Sequence, residues 1–505
     1  MKNTTTDLNP EMFKAYDIRT PAELLPPELS ERLYHAMGEY FRSNLKTKKV
    51  VICRDARSSG PDYMEQGIQI FKACGFEVIV NPQVCSTSHF YFTCMKHDDA
   101  AGIMIGASHN PGEDTGRKIV GPGAIPIAVE CGPDGGLEKI KELYLENFRM
   151  KPIAGGSVTF VNHLKEYISY SMELAGVKPD SLTGTKIMMD FLHGAAGEEF
   201  AKAFDLAGAN VTLCNSIPDG SFPAGPPNPV VAGSIEPSLK KLQDGSYDFA
   251  FFFDGDGDRL DIYSGKGQQL NPCFNIAVLA PELKKLHVID EPGLFACLKA
   301  NPTALTQLSA AGVKASCIRN GHSQIKNSLL SSTDYIGAVE ESAHYYLNFP
   351  YNDKIFASEN TLFFGLLTAR YWSTYPQKYQ DALEQQRQSY REREWGYKFP
   401  DTDNREQALN QIETLLCDKG GKSVTEMADG TPMGATLIRI GLPIDIDSQS
   451  IIEEKWIQVA QRVSQSEVGL ARWEVSAATQ GLVEETVGLI ETTVQQFGAG
   501  EKYIG

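Results

Sequence analysis

Three stretches of this chain repeat one order of local pattern: a short β-rich run, a loop, an amphipathic stretch and a second apolar run. That repetition limits the fold more than any other feature, because two parallel strands need a crossover long enough to hold a helix. The first stretch runs from Lys49-Val50-Val51-Ile52-Cys53, through a helix between Tyr63 and Cys74, to Phe76-Glu77-Val78-Ile79-Val80. The second joins Lys186–Asp190 to Asn210–Cys214 through a helix ending near Ala207. The third joins Gly293–Cys297 to Val313–Cys317 through a helix from Ala304 to Ala311. The pattern predicts an α/β protein with three tandem mixed α/β domains of similar topology, over residues 1–155, 156–265 and 266–370. After these comes a C-terminal α+β domain, 371–505, the four being arranged around a central cleft. In that last domain Gln377–Arg393 reads as a polar helix and Asp401–Asn404 as a loop. Trp456–Ala460 and Arg472–Val475 read as strands, and Val483–Phe497 as a closing helix.

At 505 residues the chain is too long for one core, in keeping with several domains. A formal net charge of −17 argues against a general binder of nucleic acid or of anionic membranes, since those carry basic footprints. An anionic ligand must therefore be held by local positive charge. The ten cysteines form no CxxC pair and have no metal-type spacing with histidine, which suits a reduced, cytoplasmic setting. No window approaches the roughly 20 apolar residues of a membrane span, and the N-terminus has no signal-peptide core.

Two motifs carry chemistry. Gly106-Ala107-Ser108-His109-Asn110-Pro111 follows the apolar run Ala100–Ile105 and presents one serine hydroxyl at the end of a predicted buried strand, although a plain turn uses the same residue types. The second motif is Phe251-Phe252-Phe253-Asp254-Gly255-Asp256-Gly257-Asp258-Arg259, an aromatic strand ending in three carboxylates separated by glycine. Glycine lets such a loop curl until the carboxylates face one centre, and a hard divalent cation relieves their mutual repulsion. Mg²⁺ is the natural candidate. An EF-hand loop fails, because its sixth and twelfth positions would be Arg259 and Gly265. A phosphatase with an aspartate nucleophile also places DxD behind a strand, but leaves Ser108 and Arg259 unexplained.

Taken together, these motifs resemble the phosphohexomutases, in particular the bacterial phosphomannomutase/phosphoglucomutase branch. The similarity extends over the chain: Phe13-Lys14-Ala15-Tyr16-Asp17-Ile18-Arg19, Arg54-Asp55-Ala56-Arg57-Ser58-Ser59, Pro218-Asp219-Gly220 and Pro227-Asn228-Pro229 are similar to further landmarks. The resemblance implies a phosphorylated Ser108 neighboured by His109 and Arg19. It also implies Mg²⁺ held by Asp254, Asp256, Asp258 and a phosphoserine oxygen, with Arg259 adding charge stabilisation. Gly321-His322-Ser323-Gln324-Ile325-Lys326 resembles a loop whose histidine, His322, approaches the sugar or moves a proton. Glu340-Glu341-Ser342-Ala343-His344 resembles the sugar-gripping ExSGH loop, with alanine in place of glycine at 343. Lys118 sits where the family has a general base; such a lysine needs a lowered pKa, to which Arg117 and Arg19 could contribute. Lys299 corresponds to a phosphate- or sugar-facing lysine. Arg462-Val463-Ser464-Gln465-Ser466-Glu467-Val468 is similar to the phosphate clamp RxSxTEP without its proline, so Arg462, Ser464 and Ser466 are the expected phosphate ligands.

The implied domain roles are a phosphoserine-loop domain, a metal-binding-loop domain, a sugar-recognition domain and a C-terminal phosphate-binding domain. The implied reaction is reversible transfer of a phosphoryl group between O6 and O1 of mannose or glucose phosphate through a hexose 1,6-bisphosphate, by a monomer or homodimer. A phosphoglucosamine mutase and a catalytically silent sugar-phosphate binder are the alternatives, and a Mg²⁺-dependent phosphatase is a third.

Overall fold

The computed structural model describes residues 8–427, 430–444, 453–464 and 469–504. The chain divides into two compact units. The first comprises Met1–Gln269, Gly321–Ser332 and His344–Ser373, and the second Leu270–Asn320, Thr333–Ala343 and Thr374–Gly505.

In the first unit one mixed sheet carries the order Ile18–Pro21, Asp114–Gly121, Ala101–Ile105, Lys49–Arg54, Glu77–Val84 and Ser157–Phe160. The last four strands run parallel and the first three antiparallel to their neighbours. Val50, Ile52, Ile103 and Ile105 pack with Leu33, Met37 and Phe71 of the flanking helices Pro27–Ser43 and Gly60–Ala73. A second sheet is built from Leu260–Ser264, Phe249–Phe253, Lys186–Asp190 and Asn210–Cys214. Its aromatic strand is wholly buried: Phe253 stacks on Phe191 with centroids 4.6 Å apart, and Phe249 meets Trp372 at 4.9 Å. The hairpin Tyr345–Tyr351 and Lys354–Glu359 also belongs to this unit and leads into helix Thr361–Thr374.

In the second unit Gly293–Cys297 runs parallel to Lys314–Ile318 and Tyr335–Val339, the arrangement expected of a βαβ crossover through helix Pro302–Ala310. A six-stranded antiparallel sheet follows, in the order Lys422–Glu426, Pro432–Ile440, Ile457–Val463, Leu470–Ala477, Tyr390–Lys398 and Lys502–Ile504. Helices Thr402–Asp418 and Gln480–Gln496 cover one face.

Two expectations for the C-terminal region need correction. Helix Pro376–Gln386 stops short, and Arg391–Arg393 lie in strand Tyr390–Lys398. The charge of that segment suggested a solvated helix, yet Arg391 is satisfied inside the unit by Glu341 at 2.7 Å and Glu474 at 2.8 Å. Asp401, read as loop, caps a helix: its side chain accepts from the Asn404 amide at 2.8 Å and opens Thr402–Asp418.

Among the described residues no helix is long and apolar enough to cross a membrane. All ten cysteines, each among the described residues, are free thiols.

Candidate active site

Strand Ala101–Ile105 is buried along its length, so the chain leaving it must turn at once, and it turns at Ser108. Ser108 adopts φ +50°, a left-handed conformation that costs a side-chain-bearing residue energy and must be held by its surroundings. Arg57 holds it. This buried guanidinium bonds the carbonyls of Ser108 at 2.9 Å, Asn110 at 2.7 Å and Asp114 at 3.1 Å, and also that of Pro111. Asp55 orients Arg57 at 3.1 Å and accepts from the Ala107 amide at 3.2 Å. A side chain at Gly106 would collide with that carboxylate, its Cβ lying 2.4 Å from Asp55 Oδ2. The Arg54–Ser59 motif thus has a physical task that its sequence alone does not disclose.

The Ser108 hydroxyl donates to Asp254 Oδ2 at 3.1 Å and lies 3.2 Å from His109 Nδ1. Arg259, which has only donors, reaches the same Nδ1 at 3.0 Å, so that nitrogen is an acceptor and the ring proton sits on Nε2. Burial, then Arg259 and Arg19, hold the His109 pKa well below the usual histidine range. Arg19 pairs with Asp17 at 2.8 Å and donates to Asn110 Oδ1 at 2.9 Å.

Asp254, Asp256 and Asp258 bring ligand atoms within 4.8 Å of one another, and all three are buried. Burial, then repulsion from Asp258 and Asp256, pushes Asp254 up to about 8. Gly255 is close enough to the serine loop that a Cβ there would meet the Ser108 carbonyl at 2.6 Å. Asp256 Oδ1 and Asp258 Oδ1 are buried without a hydrogen-bond partner. A cluster of acidic oxygens with unsatisfied buried lone pairs fits a hard divalent cation.

Lys118 answers part of that charge. Its ammonium contacts Asp256 Oδ2 at 2.8 Å and also Asp258 Oδ2. Burial works against the ammonium, but the two carboxylates outweigh it and hold Lys118 well above the usual lysine range, the reverse of the expectation for a base. Arg117, expected to help lower it, is on the other face of the strand, stacked at 4.6 Å over Tyr63 and 5.3 Å over Tyr34. Successive residues of a strand point oppositely, which the sequence window alone did not take into account.

His322 Nε2 is buried and has no hydrogen-bond partner, and its ring stands edge-on to Tyr16 at 6.0 Å. Burial, then Lys326 and Lys118, keep it neutral. His344 Nδ1 lies 3.0 Å from Glu359 Oε1 and 3.6 Å from Asp258 Oδ1. Burial opposes its charge, but these carboxylates raise it to about 9. Arg259 Nε donates toward His344 Nε2 at 3.3 Å, and its charge works against that of the imidazolium, less strongly than the two carboxylates favour it.

Glu359, Lys326 and Tyr91 escaped the sequence reading. Lys326 Nζ bonds Tyr91 Oη at 2.6 Å and Glu359 at 3.2 Å, and all three are buried. Lys326 lay within the quoted loop as a signal; Glu359 had none. Burial alone would raise Glu359, yet Lys326 and His344 bring it down to about 2. A depressed carboxyl pKa contributes stability above its unfolded value near 4.5, lost as pH falls toward 2. The destabilisation caused by Glu359→Gln, measured by denaturant unfolding, should therefore shrink by about 2 kcal/mol between pH 6 and pH 3. A pH-independent difference would contradict the ion pair.

Glu340, Ser342, Lys299, Arg462 and Ser464 belong to the second unit. The Glu340 carbonyl accepts from the Ala343 amide at 3.1 Å, closing a turn. Ala343 pays for standing in for glycine: it is buried at φ +71°. Ala343→Gly should raise stability by roughly 1 kcal/mol in equilibrium unfolding, since glycine adopts this conformation without a Cβ clash. Unchanged or lower stability would show that the loop carries no such strain. Lys299 pairs with Glu394 at 3.1 Å and Glu474 at 3.4 Å. Arg462 meets Glu394 through two nitrogens, at 2.8 and 3.2 Å. The Ser464 amide donates to the Leu470 carbonyl at 2.8 Å, and Ser466 lies outside the described residues.

Residues 10–134 match the α/β/α domain I of phosphoglucomutase/phosphomannomutase, and residues 159–267 match domain II of the same family. The phosphomannomutase of Salmonella montevideo is 29% identical over 354 residues, 68% of this chain and 74% of that one. A phosphoglucomutase/phosphomannomutase family protein from Burkholderia thailandensis shares the fold with a TM-score of 0.75 at 17% identity, over 99% of this chain and 100% of its own. The N-acetylphosphoglucosamine mutase of Aspergillus fumigatus, solved in complex with GlcNAc-6P and magnesium, gives 0.55 at 13% identity, over 96% of each chain. The chain belongs to the phosphohexomutase family. It is an enzyme of the isomerase class, a phosphohexose mutase of carbohydrate metabolism.

Proposed function

We propose that this enzyme moves a phosphoryl group between O6 and O1 of mannose or glucose phosphate, with Ser108 as the phosphoryl carrier. One observation carries the reading: the Ser108 hydroxyl, on a left-handed loop clasped by Arg57, stands 3.1 Å from the first of three clustered buried aspartates. In the proposed cycle phospho-Ser108 gives its phosphoryl group to the free hydroxyl of the hexose phosphate, whose proton leaves to a base. The resulting 1,6-bisphosphate presents its other phosphate, which returns to Ser108.

Asp254, Asp256 and Asp258 would hold Mg²⁺, which when bound draws charge from the phosphoryl oxygens. The A. fumigatus mutase, solved with magnesium, supports the choice of ion. Arg259 adds positive charge beside Asp254 and His109. Neutral His109 accepts near the serine oxygen, and neutral His322, with its unpaired Nε2, is suited to exchange a proton with a sugar hydroxyl. Lys118, held protonated by Asp256 and Asp258, would serve as the base only with those carboxylates neutralised by a bound cation, so that its ammonium could give up a proton and present the free amine. Arg19 fixes the loop through Asn110. Glu340, Ser342 and His344 would bind sugar hydroxyls, and Arg462, Lys299, Ser464 and Ser466 the phosphate that is not reacting.

A phosphorus NMR time course on mannose 6-phosphate, glucose 6-phosphate and glucosamine 6-phosphate, with Mg²⁺ and a trace of the corresponding bisphosphate, tests the reading. Conversion of the first two to 1-phosphates is expected. Release of inorganic phosphate alone, or conversion of glucosamine 6-phosphate only, would overturn it.

A further inference from the structure

Arg462 and Arg472 stand directly opposite each other on the neighbouring strands Ile457–Val463 and Leu470–Ala477. Like charges in that relation repel unless an anion lies between them. Glu394 is that anion. Its Oε1 accepts from Arg462 Nη2 at 2.8 Å and Arg472 Nη1 at 3.0 Å, and its Oε2 from Arg462 Nε at 3.2 Å and Lys299 Nζ at 3.1 Å. Both oxygens thus take two charged donors each, the arrangement a phosphate would receive from the same side chains.

The backbone explains how the carboxylate gets there. Strand Tyr390–Lys398 pairs Glu392 with Val475 and Trp395 with Trp473, so Arg393 and Glu394 together face Glu474 and the register shifts between them. Such a bulge re-aims a side chain that a regular strand would send elsewhere. The next residue but one, Gly396, clears the approach to Arg472, for a Cβ there would meet Arg472 Cγ at 3.2 Å and the Ala471 carbonyl at 2.6 Å.

We infer that Glu394 is a built-in competitor for the phosphate site: its carboxylate occupies the Arg462 fork and the Lys299 ammonium, and a substrate phosphate must displace it. This rests on the reading of Arg462 as a phosphate ligand. The carboxylate therefore sets affinity at this site, weakening the hold on monophosphates so that the sugar can leave and re-enter in the other orientation. On displacement it keeps Arg472 as its partner, and the expelled charge stays paired.

The test is a double-mutant cycle on Glu394→Gln and Arg462→Gln, with inorganic phosphate as the probe in calorimetric titrations of the full chain without Mg²⁺. Glu394→Gln should tighten phosphate binding by about tenfold, because the neutral amide no longer competes as an anion. That gain should vanish in the Arg462→Gln background. Glu394→Asp, which keeps the charge but shortens the reach, should fall between wild type and Glu394→Gln. A merely structural glutamate predicts weaker or unchanged binding when removed, so the sign of the effect decides. If Arg462→Gln weakens phosphate binding but Glu394→Gln and Glu394→Asp do not tighten it, the competitor role is wrong and the clamp stands. If Arg462→Gln leaves binding unchanged, the clamp reading fails and the competitor role fails with it.

Discussion

Ser108→Ala is expected to abolish mutase turnover, with kcat falling by on the order of 10⁴-fold or more, while the fold is left intact. Phosphate-monoester chemistry is among the slowest uncatalysed reactions, so losing the proposed carrier hydroxyl would remove the covalent route rather than trim it. The loop should survive, because Arg57 bonds the backbone carbonyls of residues 108, 110, 111 and 114, whereas the Ser108 hydroxyl bonds elsewhere. The side chain itself contributes only its bond to Asp254 and its approach to His109. Phosphorus NMR on the conversion of mannose 6-phosphate, together with a thermal melt, separates the two effects. Turnover within tenfold of wild type would mean that the phosphoryl group travels by another route.

The second large effect is expected at Asp256. Its Oδ2 accepts from Thr87 Oγ1 at 2.6 Å and meets Lys118 at 2.8 Å, while its Oδ1 is buried and unpartnered. Asp256→Asn removes one of the three proposed anionic ligands but leaves Lys118 its contact with Asp258. Mg²⁺ affinity should drop by about 100-fold, and kcat at saturating substrate by on the order of 10³-fold, since charge stabilisation is the main resource of phosphoryl transfer. Calorimetric Mg²⁺ titration and the Mg²⁺ dependence of the rate check the two parts. Unaltered Mg²⁺ binding would remove Asp256 from the metal site.

Much of the fold was legible because its strands announce themselves. Lys186–Asp190 and Asn210–Cys214 were read with the bounds they have in the structure, as apolar runs flanked by turn residues. Strand Tyr390–Lys398 was not legible, since its arginines and glutamates are satisfied by partners distant in sequence, such as Glu341 and Glu474. The same limit separates the parts of the site. Ser108 and the three aspartates stand in compact motifs whose local spacing states their chemistry. Glu359 and Glu394 act only through residues brought to them by the fold, and the protonation of Lys118 depends on Asp256 and Asp258, more than a hundred positions away. Spacing reports which groups are near in sequence; electrostatics depends on which are near in space.

The first unit is assembled from three separate stretches of chain, and this bears on how the protein must be made. A nascent chain that has reached residue 269 already contains Phe200 and Phe249, but not the helix Thr361–Thr374 whose Trp372 lies 4.9 Å from Phe249 and whose Gly365 fits against Phe200. At synthesis rates of about 5–20 residues per second, the hundred or so residues still to come leave that aromatic surface uncovered for several seconds. The first unit therefore cannot be completed before residue 373 has been made, and in a fragment ending at residue 269 the surface around Phe200 and Phe249 should bind holdase chaperones, whereas in one extended through Ser373 that same surface should be covered.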